Sequence, residues 1–302
     1  MADNPSIHAT SPLPEGRPDR SLTIVIPAFN EGDHVAEVVG AIDREMRTTD
    51  WDFEIIVVDD GSTDDTAERA ATRARVIRQQ RNRGYGAALK RGIQASETDW
   101  ILITDADGTY PADAIPQLLA AAPGNEMVVG ARTGKSVQIP WLRRFAKWYL
   151  RRLASYLAGE KLPDLNSGMR LMKRGLVDRY AHLLPSGFSF TTTITLAAAC
   201  NGHDIEYIPI DYRQRLGTSS IRPWHTFDFL LLTLRTMVFF NPLRVFMPMG
   251  AVVALAGLIK LVYDIVIGNL SESAVLALLA ALVIWAVGLL ADQNARIAMQ
   301  GR

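Results

Sequence analysis

Short β-branched runs alternate with stretches of helical period through the first half of the chain. Leu22 to Pro27, Glu54 to Asp59, Trp100 to Thr104 and Met127 to Ala131 predict strands; Val35 to Arg47, Asp64 to Arg73, Gly84 to Ser96 and Ala112 to Ala122 predict helices. Such alternation implies an α/β fold: a mostly parallel sheet with helices on both faces, whose ligand site lies beyond the carboxyl ends of the strands. No internal repeat interrupts it.

The C-terminal pattern is different in kind. Met247 to Ile267 is apolar apart from Lys260 and Asp264, and Ser273 to Ala291 carries no charge. Each run approaches the roughly 20 residues that a helix needs to cross a bilayer core of about 30 Å. Gly268, Asn269, Leu270, Ser271, Glu272 and Ser273 form a polar turn between them, which predicts a transmembrane hairpin. The competing arrangement, a hairpin buried in a soluble core, conflicts with a second run that has no polar face. Lys260 and Asp264, at i and i+4, can neutralise one another. Arg235 and Arg244 precede the spans, Arg296 and Arg302 follow them, and the turn holds only Glu272. The positive-inside tendency therefore places both chain ends and the N-terminal domain in the cytoplasm, giving a multi-pass protein of the cytoplasmic membrane.

These patterns divide the chain into a disordered leader (1–20), an α/β domain (21–222), an interfacial helix (223–244), a transmembrane hairpin (245–292) and a cytoplasmic tail (293–302). The leader is rich in Pro, Ser and Asp and lacks the apolar stretch of a signal peptide. At 302 residues the chain is too long for a disulfide knot or a disordered tail. Its hydrophobic fraction of 48% lies in excess beyond Trp224. Lys and Arg number 32 and Asp and Glu number 32, so the chain as a whole is no electrostatic binder of nucleic acid. The single cysteine, Cys200, excludes an intramolecular disulfide and a cysteine-built zinc site, and its alanine neighbours suggest an inert core thiol. His34, His182, His203 and His225 share no metal-ligand spacing.

The unusual residues fall at the predicted strand ends. The first is Pro27-Ala28-Phe29-Asn30-Glu31-Gly32 and the second Asp59-Asp60-Gly61-Ser62-Thr63-Asp64. Two acids closing an apolar strand can accept from base or ribose donors in a crevice, or they can cap the next helix. Asn82-Arg83-Gly84-Tyr85-Gly86-Ala87-Ala88 is half of a dinucleotide fingerprint, without the third glycine or a following acidic ribose reader, so close helix packing is the better role for its glycines. Thr104-Asp105-Ala106-Asp107-Gly108 places carboxylates at i and i+2 directly after a strand. There they can converge on one hard divalent cation such as Mg²⁺ or Mn²⁺. The remaining ligands of an EF-hand are missing.

Taken together, in this order and spacing, the four motifs resemble the family 2 glycosyltransferases of the GT-A fold, over roughly Ser21 to Ile221. The resemblance implies a nucleotide-diphosphate sugar donor, inversion at the anomeric carbon, and a divalent metal held chiefly by Asp107 with Asp105 beside it or on the ribose. It makes Pro27, Ala28, Asn30, Glu31, Asp59, Asp60 and Gly84 donor-binding positions. The two spans and Asn166-Ser167-Gly168-Met169-Arg170 resemble the branch that glycosylates polyprenyl phosphates. Arg213-Gln214-Arg215-Leu216-Gly217-Thr218-Ser219-Ser220 is similar to that branch's acceptor loop, with Ser220 in place of its lysine; Arg213 or Arg222 can supply the charge. This implies acceptor-phosphate contacts from Arg132, Ser167, Arg170, Arg213, Arg215 and Ser219, and assigns Arg132, Arg170 and Arg215 to the catalytic set.

The chemistry bears on the acceptor separately. A sugar hydroxyl must be deprotonated by a positioned base, whereas a lipid phosphate is already an anionic nucleophile. Gly187 to Thr193, where relatives often carry an acid, has none, although Asp164 is a candidate elsewhere. Arg132, Lys135, Arg143, Arg144, Lys147, Arg151 and Arg152 lie in a stretch without acids up to Gly159, and aromatic residues group on the opposite side of that helical pattern. This is the character of a helix lying on anionic membrane lipid; a basic RNA-binding helix would look similar. Pro223 to Phe240 is a second interfacial candidate. A thin two-span anchor makes homo-oligomers plausible. No Gln-x-x-Arg-Trp motif of a processive synthase is present. Transfer to another lipid or polysaccharide, or a catalytically silent membrane scaffold, are the alternatives.

Overall fold

The structure is a computed structural model that describes residues 20–133, 152, 155–156, 159, 161–187, 189–212, 238–269 and 271–300. The elements run β1 (Ser21–Ala28), α1 (Val35–Met46), β2 (Asp52–Asp59), α2 (Thr66–Ala70), β3 (Arg75–Arg78), α3 (Tyr85–Gln94), β4 (Trp100–Ile103), a 3₁₀ turn (Ala112–Ala114), α4 (Ile115–Ala120), β5 (Met127–Ala131), β6 (Arg170–Lys173), α5 (Arg174–Tyr180), α6 (Phe190–Cys200), β7 (Ile205–Pro209), α7 (Leu243–Ile267) and α8 (Glu272–Gln300). The four predicted strands are present within two residues of their expected ends. Helix α2 is shorter than the predicted Asp64 to Arg73, because the Asp64 carboxylate turns to the Thr66 backbone and hydroxyl and to the Gly32 amide instead of continuing a helix. Strands β3, β6 and β7 went unpredicted; Arg75, Arg78, Arg170, Lys173 and Glu206 break them up, so none shows the apolar run that marks β4 and β5 at the same length.

The seven strands form one sheet in the order β3-β2-β1-β4-β6-β5-β7. Strands β1, β2, β3 and β4 are mutually parallel, and β5 is parallel to β7. Strand β6 is the exception, antiparallel to both β4 and β5. Its reversal matters to the site: Arg170, its first residue, pairs with Ile103, the last of β4, so the loop entering β6 arrives where β4 ends. In register, Ala28 lies beside Asp59, so the β1 and β2 ends are level.

One face of the sheet packs on α1 and α4, where Val35, Val39, Ile42 and Met46 form a buried stripe. The other face packs on α3, α5 and α6, with Leu89, Ile93, Leu176, Phe190 and Ile194 in its core. Cys200 is a free thiol, partly buried at the edge of that core. Phe240 joins the same cluster edge-on to Tyr180, so the approach to the hairpin is rooted in the α/β core.

Helices α7 and α8 are both long and apolar enough to cross a membrane, and most of their surface faces outward. Val266 is 80% exposed and Leu276 63%, which is foreign to a soluble core helix. Small residues let the two backbones approach: a Cβ on Gly250 would strike the Trp285 ring at 2.3 Å, and one on Gly288 would meet Phe246 at 2.6 Å. Lys260 pairs with buried Asp264, which also accepts from the Ser271 amide and hydroxyl across the turn. Gly268 ends α7 in the left-handed conformation at φ 75°.

Candidate active site

The motifs meet at the carboxyl ends of β1, β2 and β4. Pro27 and Ala28 are buried at the end of β1, and Asn30 and Glu31 follow in the loop. Asn30 sits at φ 55°, and its side-chain carbonyl accepts from the Thr63 amide at 2.9 Å and the Thr63 hydroxyl. Its own amide donates to Ser62 Oγ, and the Glu31 amide to Thr66 Oγ1. The first loop is thereby stitched to the second, and the Glu31 carbonyl accepts from His34 and Val35 to start α1.

The acids of β2 serve the scaffold. Asp59 Oδ1 accepts from the Ser62 amide at 2.9 Å. Asp60 accepts the amides of Arg83 and Gly84 on its two oxygens, each at 2.8 Å, and is only 3% exposed. Asp60 thereby clamps the turn that opens α3. Gly84 holds φ 96° there, and a Cβ on Gly86 would lie 2.4 Å from the Pro185 carbonyl, so the glycines of this motif serve close approach.

The acids after β4 are held otherwise. Asp107 Oδ1 accepts from the Thr109 amide at 3.1 Å and the Thr109 hydroxyl at 2.6 Å. Asp105 Oδ1 accepts from the Tyr85 hydroxyl at 3.0 Å. Both aspartates are partly exposed, unlike Asp59 and Asp60. Gly168, in the loop entering β6, passes so close that a Cβ there would lie 2.8 Å from both Asp105 oxygens, and its amide donates to the Tyr110 hydroxyl at 2.6 Å. Burial, with the negative Asp105 beside it, pushes the Tyr85 phenol well above its ordinary range, so it remains a donor. Tyr110 is likewise raised by burial, against the opposing pull of Arg132.

The oxygens of Asp105 and Asp107 are hard donors on partly exposed carboxylates, a chemistry that suits Mg²⁺ or Mn²⁺ and not a soft metal. No group of three His, Cys, Asp or Glu side chains that could hold a metal occurs among the described residues. A bound ion would therefore take its remaining oxygens from a diphosphate or water, as Mg²⁺ commonly does.

Arg132, at the end of β5, is fixed by Asp164: Nε reaches Oδ2 at 2.8 Å and Nη2 reaches Oδ1 at 2.9 Å, and the guanidinium lies over the Tyr212 ring. Burial opposes both charges, yet the pairing prevails, raising Arg132 above and holding Asp164 below their ordinary ranges. Asp164 is the anchor of this arginine and no longer a candidate base.

Two expectations are corrected. Arg170 is fully buried, donating to the Ser167 carbonyl at 2.6 Å, the Thr191 carbonyl at 2.9 Å and the Thr195 hydroxyl at 2.6 Å. Ser167, also fully buried, donates to the Gly130 carbonyl. Neither reaches an acceptor phosphate; together they brace the loop that carries Gly168. The reason is topological, since β6 runs back between β4 and β5 and takes Arg170 into the sheet. Arg213, Arg215, Ser219, Ser220 and Arg222 lie outside the described residues, as do Lys135, Arg143, Arg144, Lys147, Arg151 and most of the expected interfacial helix. Sequence reasoning missed Tyr85, Tyr110 and Gly168 as neighbours of the acids. The only signal was the position of Tyr85 within a glycine motif.

Comparison with known proteins bears on the family and the fold. Residues 23–181 match the glycosyl transferase family 2 model, and residues 241–297 match the GtrB C-terminal hairpin. A dolichyl-phosphate hexose transferase of Haloferax volcanii is 32% identical over 205 residues, covering 67% of this chain and 87% of that protein. Glucosyl-3-phosphoglycerate synthase from Mycobacterium tuberculosis, solved with Mn²⁺, UDP-glucose and phosphoglyceric acid, aligns with TM-score 0.58 at 24% identity, covering 72% of this chain and 79% of that one. The same synthase with UDP aligns with TM-score 0.56 at 22% identity, over 72% and 80%. The fold is the GT-A arrangement with a C-terminal helical hairpin, and the chain belongs to glycosyl transferase family 2.

Proposed function

We propose that this enzyme transfers a single sugar, with inversion, from a nucleotide-diphosphate sugar to polyprenyl phosphate at the cytoplasmic membrane face. The observation that carries this reading is the union in one chain of a family 2 domain, with Asp105 and Asp107 at the crevice, and an outward-apolar hairpin rooted beside it. Likeness to a dolichyl-phosphate hexose transferase supports it. Asn30, Glu31 and the β1–β2 loops bind the base and ribose. Asp107, with Asp105 beside it, would hold Mg²⁺ or Mn²⁺, which when bound neutralises the charge of the departing diphosphate. Arg132, oriented by Asp164, faces the phosphates, and Arg213, Arg215 and Ser219 position the acceptor phosphate, whose oxygen attacks the anomeric carbon in line. No base is needed, since that oxygen is already anionic. Membrane lipid and other copies of the chain are its expected partners, and nucleic acid is not.

The test is transfer of radiolabelled sugar from a panel of nucleotide sugars to undecaprenyl phosphate by detergent-purified protein, with Mg²⁺, with EDTA and with Asp107→Ala. A lipid-linked product that disappears with EDTA and with Asp107→Ala is expected. Nucleotide-sugar binding without lipid product from any donor would overturn the acceptor assignment. Absence of binding would favour a silent membrane scaffold.

A further inference from the structure

We propose that Tyr85 is a positioning residue, whose hydroxyl sets the orientation of the Asp105 carboxylate and through it the affinity of the site for a divalent cation. This rests on the reading above that Asp105 lies beside the metal. Asp105 is confined from two sides. The Tyr85 hydroxyl donates to Oδ1 at 3.0 Å, and Gly168 brings backbone to within the space a methyl group would need. A carboxylate torsion is broad and roughly two-fold when nothing constrains it, so these neighbours select one orientation.

Tyr85 can do this because it is itself fixed. It is the first residue of α3, and Asp60 clamps the two amides just before it. Just after it, Gly86 packs against the Pro185 carbonyl, and the Ala87 amide donates to the Ser186 carbonyl at 2.9 Å. The acid of β2 therefore acts on the acid of β4 through one turn: Asp60 holds Arg83 and Gly84, these place Tyr85, and Tyr85 orients Asp105. Partners that orient a metal ligand typically alter metal affinity by about 10–100-fold when removed.

The experiment is Mn²⁺ titration of the full-length detergent-solubilised protein by electron paramagnetic resonance, with Mn²⁺ alone and with UDP or GDP, for wild type, Tyr85→Phe and Asp105→Asn. Tyr85→Phe is expected to weaken Mn²⁺ binding by about 10–100-fold. Raising Mn²⁺ should return its transferase rate toward wild type, a rescue that a folding defect would not show. Wild-type affinity in Tyr85→Phe together with loss in Asp105→Asn would overturn the proposal and leave the metal assignment standing. Wild-type affinity in Asp105→Asn would overturn the metal assignment itself, and the proposal with it. Should Tyr85→Phe not fold, Tyr85→Leu, which likewise lacks the donor, takes its place, and unchanged Mn²⁺ affinity there would overturn the proposal.

Discussion

Asp59 and Asp60 close β2, and Asp105 and Asp107 follow β4, yet these similar pairs are used in opposite ways. The first pair is buried and accepts backbone amides, three of them over the two residues. The second is partly exposed and oriented largely by hydroxyls, from Tyr85 and Thr109. A carboxylate bound to backbone amides holds a turn in shape. A carboxylate oriented by side chains at a crevice can still offer charge to a ligand. The comparison teaches that acids at strand ends must be sorted by what donates to them.

The sharpest way to break the comparison is to remove one acid of each kind. Asp107→Ala is expected to lower transfer by at least about 100-fold, as loss of an electrostatic group at a reacting centre does, with no fall in melting temperature. Asp60→Ala should do the reverse first, costing about 1–3 kcal/mol in denaturant unfolding as the Arg83 and Gly84 amides lose their buried acceptor. If Asp60→Ala leaves stability untouched and destroys only donor binding, Asp60 reads the nucleotide after all.

Gly86→Ala probes the same turn from its far side. Its new methyl meets the Pro185 carbonyl at 2.4 Å, and a loss of about 1–3 kcal/mol in unfolding free energy is expected. The smallest effect concerns Asp164, a third kind of acid, paired with a cation. Its value is depressed in the fold, so its contribution to stability is complete above the ordinary carboxylate range near about 4 and is lost as pH falls through the lowered value. Melting temperature against pH should therefore decline on the acid side in wild type, and less steeply in Asp164→Asn.

Much of this was legible from residue order. The runs of β1, β2, β4 and β5 are apolar enough to declare themselves, and the apolar hairpin needs no tertiary context, because a bilayer-spanning pattern is read from length and polarity alone. Asp105 and Asp107 stood out as candidate ligands because i, i+2 spacing after a strand is a local property. Arg170 and Ser167 were misread because their burial depends on a strand that runs against its neighbours, and nothing local in four residues announces that reversal. The roles of Tyr85 and Gly168 were invisible for the same reason. Twenty residues separate Tyr85 from Asp105 and sixty-three separate Gly168 from it, and only the sheet order brings them together.

The sequence by itself determined the class of fold, the apolar helical hairpin and where acids gather at strand ends, because periodicity, hydrophobic length and charge spacing are carried by neighbouring residues. Tertiary structure alone decided which acids are scaffold and which face the crevice. That division depends on donors supplied by distant loops, whose meeting is set by strand register and by close approach at glycines.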